Sequence, residues 1–110
     1  MNVKSIRLIL KACAEDTRLR ILSLLNGGEL TVKAICQILG ISQSVISKHL
    51  SRLRLLKIVT DRRQGNLVYY RLTNKKGSFE HNLIGFLKTY FKLAEDIQKD
   101  IKALKKLRNR

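Results

Sequence analysis

The 110-residue sequence contains no proline and no tryptophan, and only 8 acidic residues stand against 23 Lys and Arg. With no proline and no Gly/Ser-rich stretch to mark a linker, a single domain over residues 1–110 is expected. Two cysteines and two histidines are too few for the ligand spacing of a zinc finger. No stretch approaches the roughly 20 apolar residues that cross a bilayer. Lys4, Arg7 and Lys11 interrupt the N-terminus where a signal peptide needs an unbroken apolar run. These absences predict a cytoplasmic protein whose cysteines rest as thiols. No nucleophile–base pair, phosphate-binding loop or carboxylate pair stands out. The chain therefore does not read as an enzyme, and it calls for no cofactor.

What is present is charge of one sign. A net charge of +15 repels itself unless the partner is a polyanion. Nucleic acid is the first such partner. An anionic membrane surface is the second, and it is disfavoured because tryptophan is missing and the basic terminal helix has another use.

The apolar periodicity predicts helices first. Val3, Ile6, Leu10 and Cys13 step by three and four along an N-terminal helix. Asp16 or Thr17 is placed to cap a second helix carrying Leu19, Ile21, Leu22, Leu24 and Leu25, ended by Asn26-Gly27-Gly28. Thr31 is placed to cap a short third helix that Gly40 ends. Ser42 is placed to cap a fourth, running to Leu56, with Val45, Ile46, Leu50, Leu53 and Leu56 on its apolar face. The other face of that helix opens with Ser42, Gln43, Ser44 and Ser47, then turns basic with Lys48, Arg52 and Arg54, and contains no acid. Ile58–Thr60 and Leu67–Leu72, around Gln64-Gly65-Asn66, predict a β-hairpin. After a loop over Asn74–Ser78, one long helix is expected. Leu83, Leu87, Tyr90, Ala94, Ile97, Ile101 and Leu104 form a heptad seam along it, with Lys92/Asp96 and Glu95/Lys99 as supporting pairs.

A short helix, a glycine turn, a polar-then-basic helix and a basic hairpin make a winged helix-turn-helix pattern. The fold expected is α+β and mainly helical, with a two-stranded β-hairpin wing and a long terminal dimerisation helix. The apolar face of the fourth helix packs on the third, and its polar face enters a DNA major groove. Gln and Ser near the helix start suit base edges, and the basic residues behind them, among them Arg52, suit phosphates. The hairpin tip, with Arg62, Arg63 and Asn66, is expected along the neighbouring backbone or minor groove.

Four segments carry a resemblance. Asp16–Leu22, Glu29–Val32, Ser42–Leu53 (with Ser47-Lys48-His49-Leu50 inside it) and Val68–Leu72 occur in the order found in the arsenic-repressor (ArsR/SmtB) family of transcriptional repressors, and the sequence resembles that family over nearly its whole length. The resemblance implies a homodimer built from the first and last helices, binding to double-stranded DNA at an imperfect inverted repeat, and release by an inducer. It assigns the DNA-reading positions to Gln43, Ser44, Ser47 and Lys48.

The family's metal sites do not carry over. Thr31-Val32-Lys33 stands where arsenic and cadmium sensors have Cys-Val-Cys, and the zinc-type positions hold Asn74, Lys76, Leu87 and Tyr90. A shifted register recovers only His81 and Glu95, short of the three or four protein ligands of a zinc site. Metal is therefore not expected. Cys13 and Cys36 read either as small buried hydrophobes or as a redox switch between the first and third helices. His49, among apolar neighbours, reads as a satisfied, half-buried histidine. The tail Lys99, Lys102, Lys105, Lys106, Arg108 and Arg110 reads as a solvated face that adds diffuse attraction to DNA. The rival to a DNA-binding repressor is a basic winged helix that binds structured RNA or a protein.

Overall fold

Four helices begin where a side chain takes up an otherwise free backbone N–H. In the computed structural model, which describes residues 1–109, Asn2 caps α1 (Val3–Cys13) by accepting from the Ser5 N–H at 2.9 Å. Thr31 caps α3 (Val32–Leu39) through Ala34, and Ser78 caps α5 (Phe79–Phe91) through His81. The cap of α2 (Asp16–Leu25) is Glu15 rather than Asp16 or Thr17. Its longer carboxylate reaches two donors at once, the N–H groups of Thr17 at 3.0 Å and Arg18 at 2.9 Å.

Gly40, at φ 67°, ends α3 and turns the chain into α4 (Gln43–Leu55). Ser42 occupies the cap position of α4, but its hydroxyl faces Ser44 Oγ and bonds no backbone N–H. At the other end Ile58 N–H donates to the Leu53 carbonyl and Lys57 N–H to that of Arg54, the bond pair of a Schellman motif. Lys57 therefore takes a left-handed φ of 61°, a position that favours glycine.

The wing is β2 (Val59–Gln64) paired antiparallel to β3 (Leu67–Leu72), with Gln64 opposite Leu67 across a two-residue turn. Gly65 leads that turn at φ 60°, as a type II′ turn requires. The sheet holds one strand more than the expected hairpin. β1 (Leu30–Thr31) pairs with Tyr70 and Tyr69, giving the order β1-β3-β2. Two residues are too few to leave a period of two in a sequence.

The expected single terminal helix is two helices. α5 stops at Phe91, the chain turns through Lys92–Ala94, and α6 (Glu95–Arg108) folds back on α2 and α3. An unbroken helix over these 30 residues would be about 45 Å long, matching the 44 Å extent of the whole molecule. Its second half would have no surface of its own chain to cover. Folded back, α6 buries Ile97 and Leu104 in the common core. The heptad seam therefore does not stay on one face, and Lys92, at the end of α5, shares no helix with Asp96. Arg110 of the basic tail lies outside the described residues.

The core centres on α2 and α4. Ile21, Leu22, Leu24, Ile35, Ile46, Leu50 and Leu53 are fully buried. On α1 the inward face is Ile9, Ala12 and Cys13; of the expected stripe of Val3, Ile6, Leu10 and Cys13, Cys13 is buried and the other three are 81%, 36% and 46% exposed. No helix among the described residues is long and apolar enough to cross a membrane.

Candidate nucleic-acid interface

α3 and α4 pack through Ile35 and Leu39 against Ile46 and Leu50 in one buried cluster. This packing turns the opposite side of α4 outward. Gln43, Ser44, Lys48, Ser51 and Arg52 are exposed there, and Ser47 is partly so. Ser47, Lys48, Ser51, Arg52 and Leu55 line one shallow groove along the helix. The side chains of Gln43, Ser47, Lys48 and Arg52 make no hydrogen bond to the protein among the described residues. A face with small polar groups at the start, cations one and two turns later, and no internal partners can dock against a polyanion without breaking contacts of its own. Ser51 joins the expected residues in this groove. Its spacing of four from Ser47 and three from Lys48 was the available signal.

Two ion pairs hold the wing beside this face. Arg54, at the end of α4, lies 3.5 Å from the Asp61 carboxylate of β2. Arg62 donates to Glu29 Oε2 at 2.8 Å and to Gln64 Oε1 at 2.7 Å, while its guanidinium stacks 4.5 Å from the centre of the Tyr69 ring. The hydrogen bond from Arg62 holds the Glu29 carboxyl below its ordinary value. Arg62 is thus anchored to the segment before β1, and it is Arg63 and Asn66 that stand exposed near the tip without an acid partner. The anchoring role of Glu29 and Arg54 was not read from the sequence, because both pairs join residues brought together only by the fold.

On the other flank of α4, His49 is mostly buried and accepts a hydrogen bond at Nδ1 from Arg18 Nε at 3.1 Å. Arg18 also donates to the Ala12 carbonyl at the end of α1. Acceptance at Nδ1 places the proton of neutral His49 on Nε2. The ring therefore ties α2 to α4 and faces away from the groove.

Cys13 and Cys36 are both free thiols. Burial pushes the Cys13 thiol up, against a smaller opposing effect of Arg18, which disfavours the reactive thiolate. His81 and Glu95 begin different helices. Among the described residues no three His, Cys, Asp or Glu side chains gather into a group that would hold a metal ion.

Comparison with known proteins places this geometry. Residues 15–61, from the cap of α2 into the wing, match the family described as bacterial regulatory protein, arsR family. The chain is 39% identical over 64 residues to the transcriptional repressor SdpR of Bacillus subtilis, a match covering 58% of this chain and 71% of SdpR. It is 46% identical over 66 residues to the arsenic resistance transcriptional regulator ArsR1 of Pseudomonas putida, covering 59% of this chain and 52% of that one, so it spans about half of ArsR1. Among solved structures it resembles the homodimeric winged helix-turn-helix DNA-binding domain Mb0332 of Mycobacterium bovis. That likeness has a TM-score of 0.70 at 30% identity and covers 79% of this chain and 78% of the other.

Proposed function

Because the chain belongs to the arsR family of bacterial regulatory proteins and has its winged helix-turn-helix fold, we propose that it is a single-domain transcriptional repressor that binds an inverted-repeat operator as a homodimer. The observation that carries this reading is the outward face of α4. It presents Gln43, Ser47 and Lys48 with no internal hydrogen-bond partners among the described residues, and Ser44 bonded only to Ser42, beside a wing fixed by Arg54–Asp61 and Arg62–Glu29. In this reading Gln43, Ser44 and Ser47 read base edges, and Lys48, Arg52, Arg63 and Asn66 hold the backbone. Arg62 contributes chiefly by setting the wing, its positive charge paired with Glu29.

Dimerisation is supported by apolar side chains that this chain leaves open. Val3, Ile6 and Leu10 of α1 are exposed, as are Phe86 and Tyr90 of α5, whose rings meet at a tilt with centres 5.2 Å apart. The homodimeric state named for Mb0332 agrees with such a pairing. Release by an inducer completes the proposal. The test is selection of bound sequences from a random duplex pool by the full chain, with the dimer followed by ultracentrifugation. Enrichment of a two-fold symmetric site is expected. A preference for structured RNA over every duplex would overturn the reading.

A further inference from the structure

A cleft of about 140 Å³ opens between α1, α2 and α4, lined by Leu8, Lys11, Ala12, Arg18, Arg52 and Leu56. Three cations from three helices converge on it, and no acid lines it. Three other arginines are paired with carboxylates, Arg20 with Asp100, Arg54 with Asp61 and Arg62 with Glu29. Here the hydrogen bonds of Arg18 go to neutral acceptors, His49 Nδ1 and the Ala12 carbonyl. Those bonds fix the guanidinium through Nε and Nη1 and leave Nη2 without a protein partner among the described residues. Glu15 acts on Arg18 through space only: its oxygens accept the N–H groups that start α2, and Oε2 also lies 3.7 Å from His49 Nδ1. Neither Lys11 nor Arg52 has an acid within ion-pair distance among the described residues.

A pre-oriented guanidinium between two exposed cations, lined by the apolar side chains of Leu8, Ala12 and Leu56, suits a compact, multiply charged oxyanion. We propose that this cleft seats a phosphate group, supplied either by a small phosphorylated ligand or by the DNA backbone beside α4. The cleft is coupled to the recognition face through Arg52, which lines both the cleft and the groove along α4. A free phosphate in the cleft draws Arg52 away from that groove, whereas a backbone phosphate in the cleft adds to docking. The coupling rests on the DNA-binding reading above; occupancy of the cleft does not.

The first measurement is therefore made without DNA. Inorganic phosphate is titrated into the full chain, with ionic strength held constant by chloride, and backbone amide NMR shifts are followed. Saturable shifts centred on Ala12, Arg18 and Arg52 are expected, with roughly tenfold weaker binding in Lys11→Gln, which removes one charge-assisted contact from an exposed position. Arg18→Gln is expected to do the same; if it unfolds the chain, Lys11→Gln alone decides. Shifts that do not saturate, or that are equal along the wing and α6, overturn the proposal.

Duplex binding then separates the sources. If the source is a free ligand, phosphate at constant ionic strength weakens duplex binding by the wild type but not by Lys11→Gln. If it is the backbone, Lys11→Gln itself weakens binding to all duplexes alike and flattens the salt slope by about 0.9 per half-site. Saturable phosphate binding with neither effect overturns the link to DNA, and failure of duplex binding in the wild type overturns the repressor reading instead.

Discussion

The guanidinium of Arg20 on α2 meets both carboxylate oxygens of Asp100 on α6, at 2.8 and 2.9 Å, across 80 residues of sequence. The Asp100 side chain is only 5% exposed. The hydrogen bond to Asp100 raises the Arg20 pKa above its ordinary value, against a partial loss of hydration. Together with Arg108, which donates to the Gly27 carbonyl at 2.9 Å, this pair fastens α6 to its own chain.

Asp100→Ala leaves Arg20 without its partner and should destabilise the fold by about 2–3 kcal/mol, below the full cost of breaking a buried pair because Arg20 keeps some access to water. Urea unfolding measures it, and a change under 0.5 kcal/mol would show that α6 is only loosely held.

The break between α5 and α6 also changes which substitutions should dissolve a dimer. Ile97 is buried in its own chain, so Ile97→Asp should unfold the protein, with a loss of several kcal/mol. Leu10→Asp and Phe86→Asp lie at exposed positions and should give folded monomers. Ultracentrifugation alongside circular dichroism distinguishes the two classes. A folded monomer from Ile97→Asp would mean that α6 pairs between chains.

On the recognition face, Gln43→Ala or Ser47→Ala should cost roughly 1–3 kcal/mol on the selected operator and much less on random duplex. Fluorescence anisotropy on both duplexes makes the comparison. Equal losses would show that the α4 face holds DNA without reading it.

The wing separates charge from position. Arg63→Ala should flatten the salt dependence of binding by about one unit per half-site, with sequence preference kept. Glu29→Gln adds net positive charge, yet it removes the anchor of Arg62. Affinity for the operator should therefore fall relative to random duplex, whereas a pure charge effect would raise both. An equal rise on both duplexes would mean that the Glu29–Arg62 pair does not position the wing.

Acid should act through the cap of α2. Burial pushes the Glu15 carboxyl up, but the N–H groups of Arg18 and Thr17, with the Arg18 charge nearby, outweigh it, and the group lies below its ordinary value of 4.5. A folded-state value below the unfolded one gives stability that is present above pH 4.5 and lost as pH falls through the folded value. The gap in urea midpoint between wild type and Glu15→Gln should thus be constant above about pH 5 and close below pH 4.5. A gap independent of pH would remove Glu15 from the acid response.

Local signals in the sequence determined much of this protein. Periods of three and four located the helices as far as α4, Thr31 and Gly40 marked the ends of α3, and Gly65 marked the hairpin turn, because caps and turns depend on a few adjacent residues. The polar-then-basic run Gln43–Arg52 outlined the candidate interface for the same reason. Tertiary structure decided which apolar stripe faces inward. Val3, Ile6 and Leu10 have the spacing of a core face but lie outside, because packing turns Ile9, Ala12 and Cys13 of α1 into the core instead. It decided that an unbroken heptad pattern is cut at Lys92–Ala94, since the return of α6 buries Ile97 and Leu104 and pairs Asp100 with Arg20. It also decided which cations are free. Arg62 and Arg63 are neighbours in sequence, but alternate residues of a strand point to opposite faces, so Arg62 reaches Glu29 and Tyr69 while Arg63 does not. Partners remote in sequence are chosen by packing, and no spacing rule along the chain encodes them.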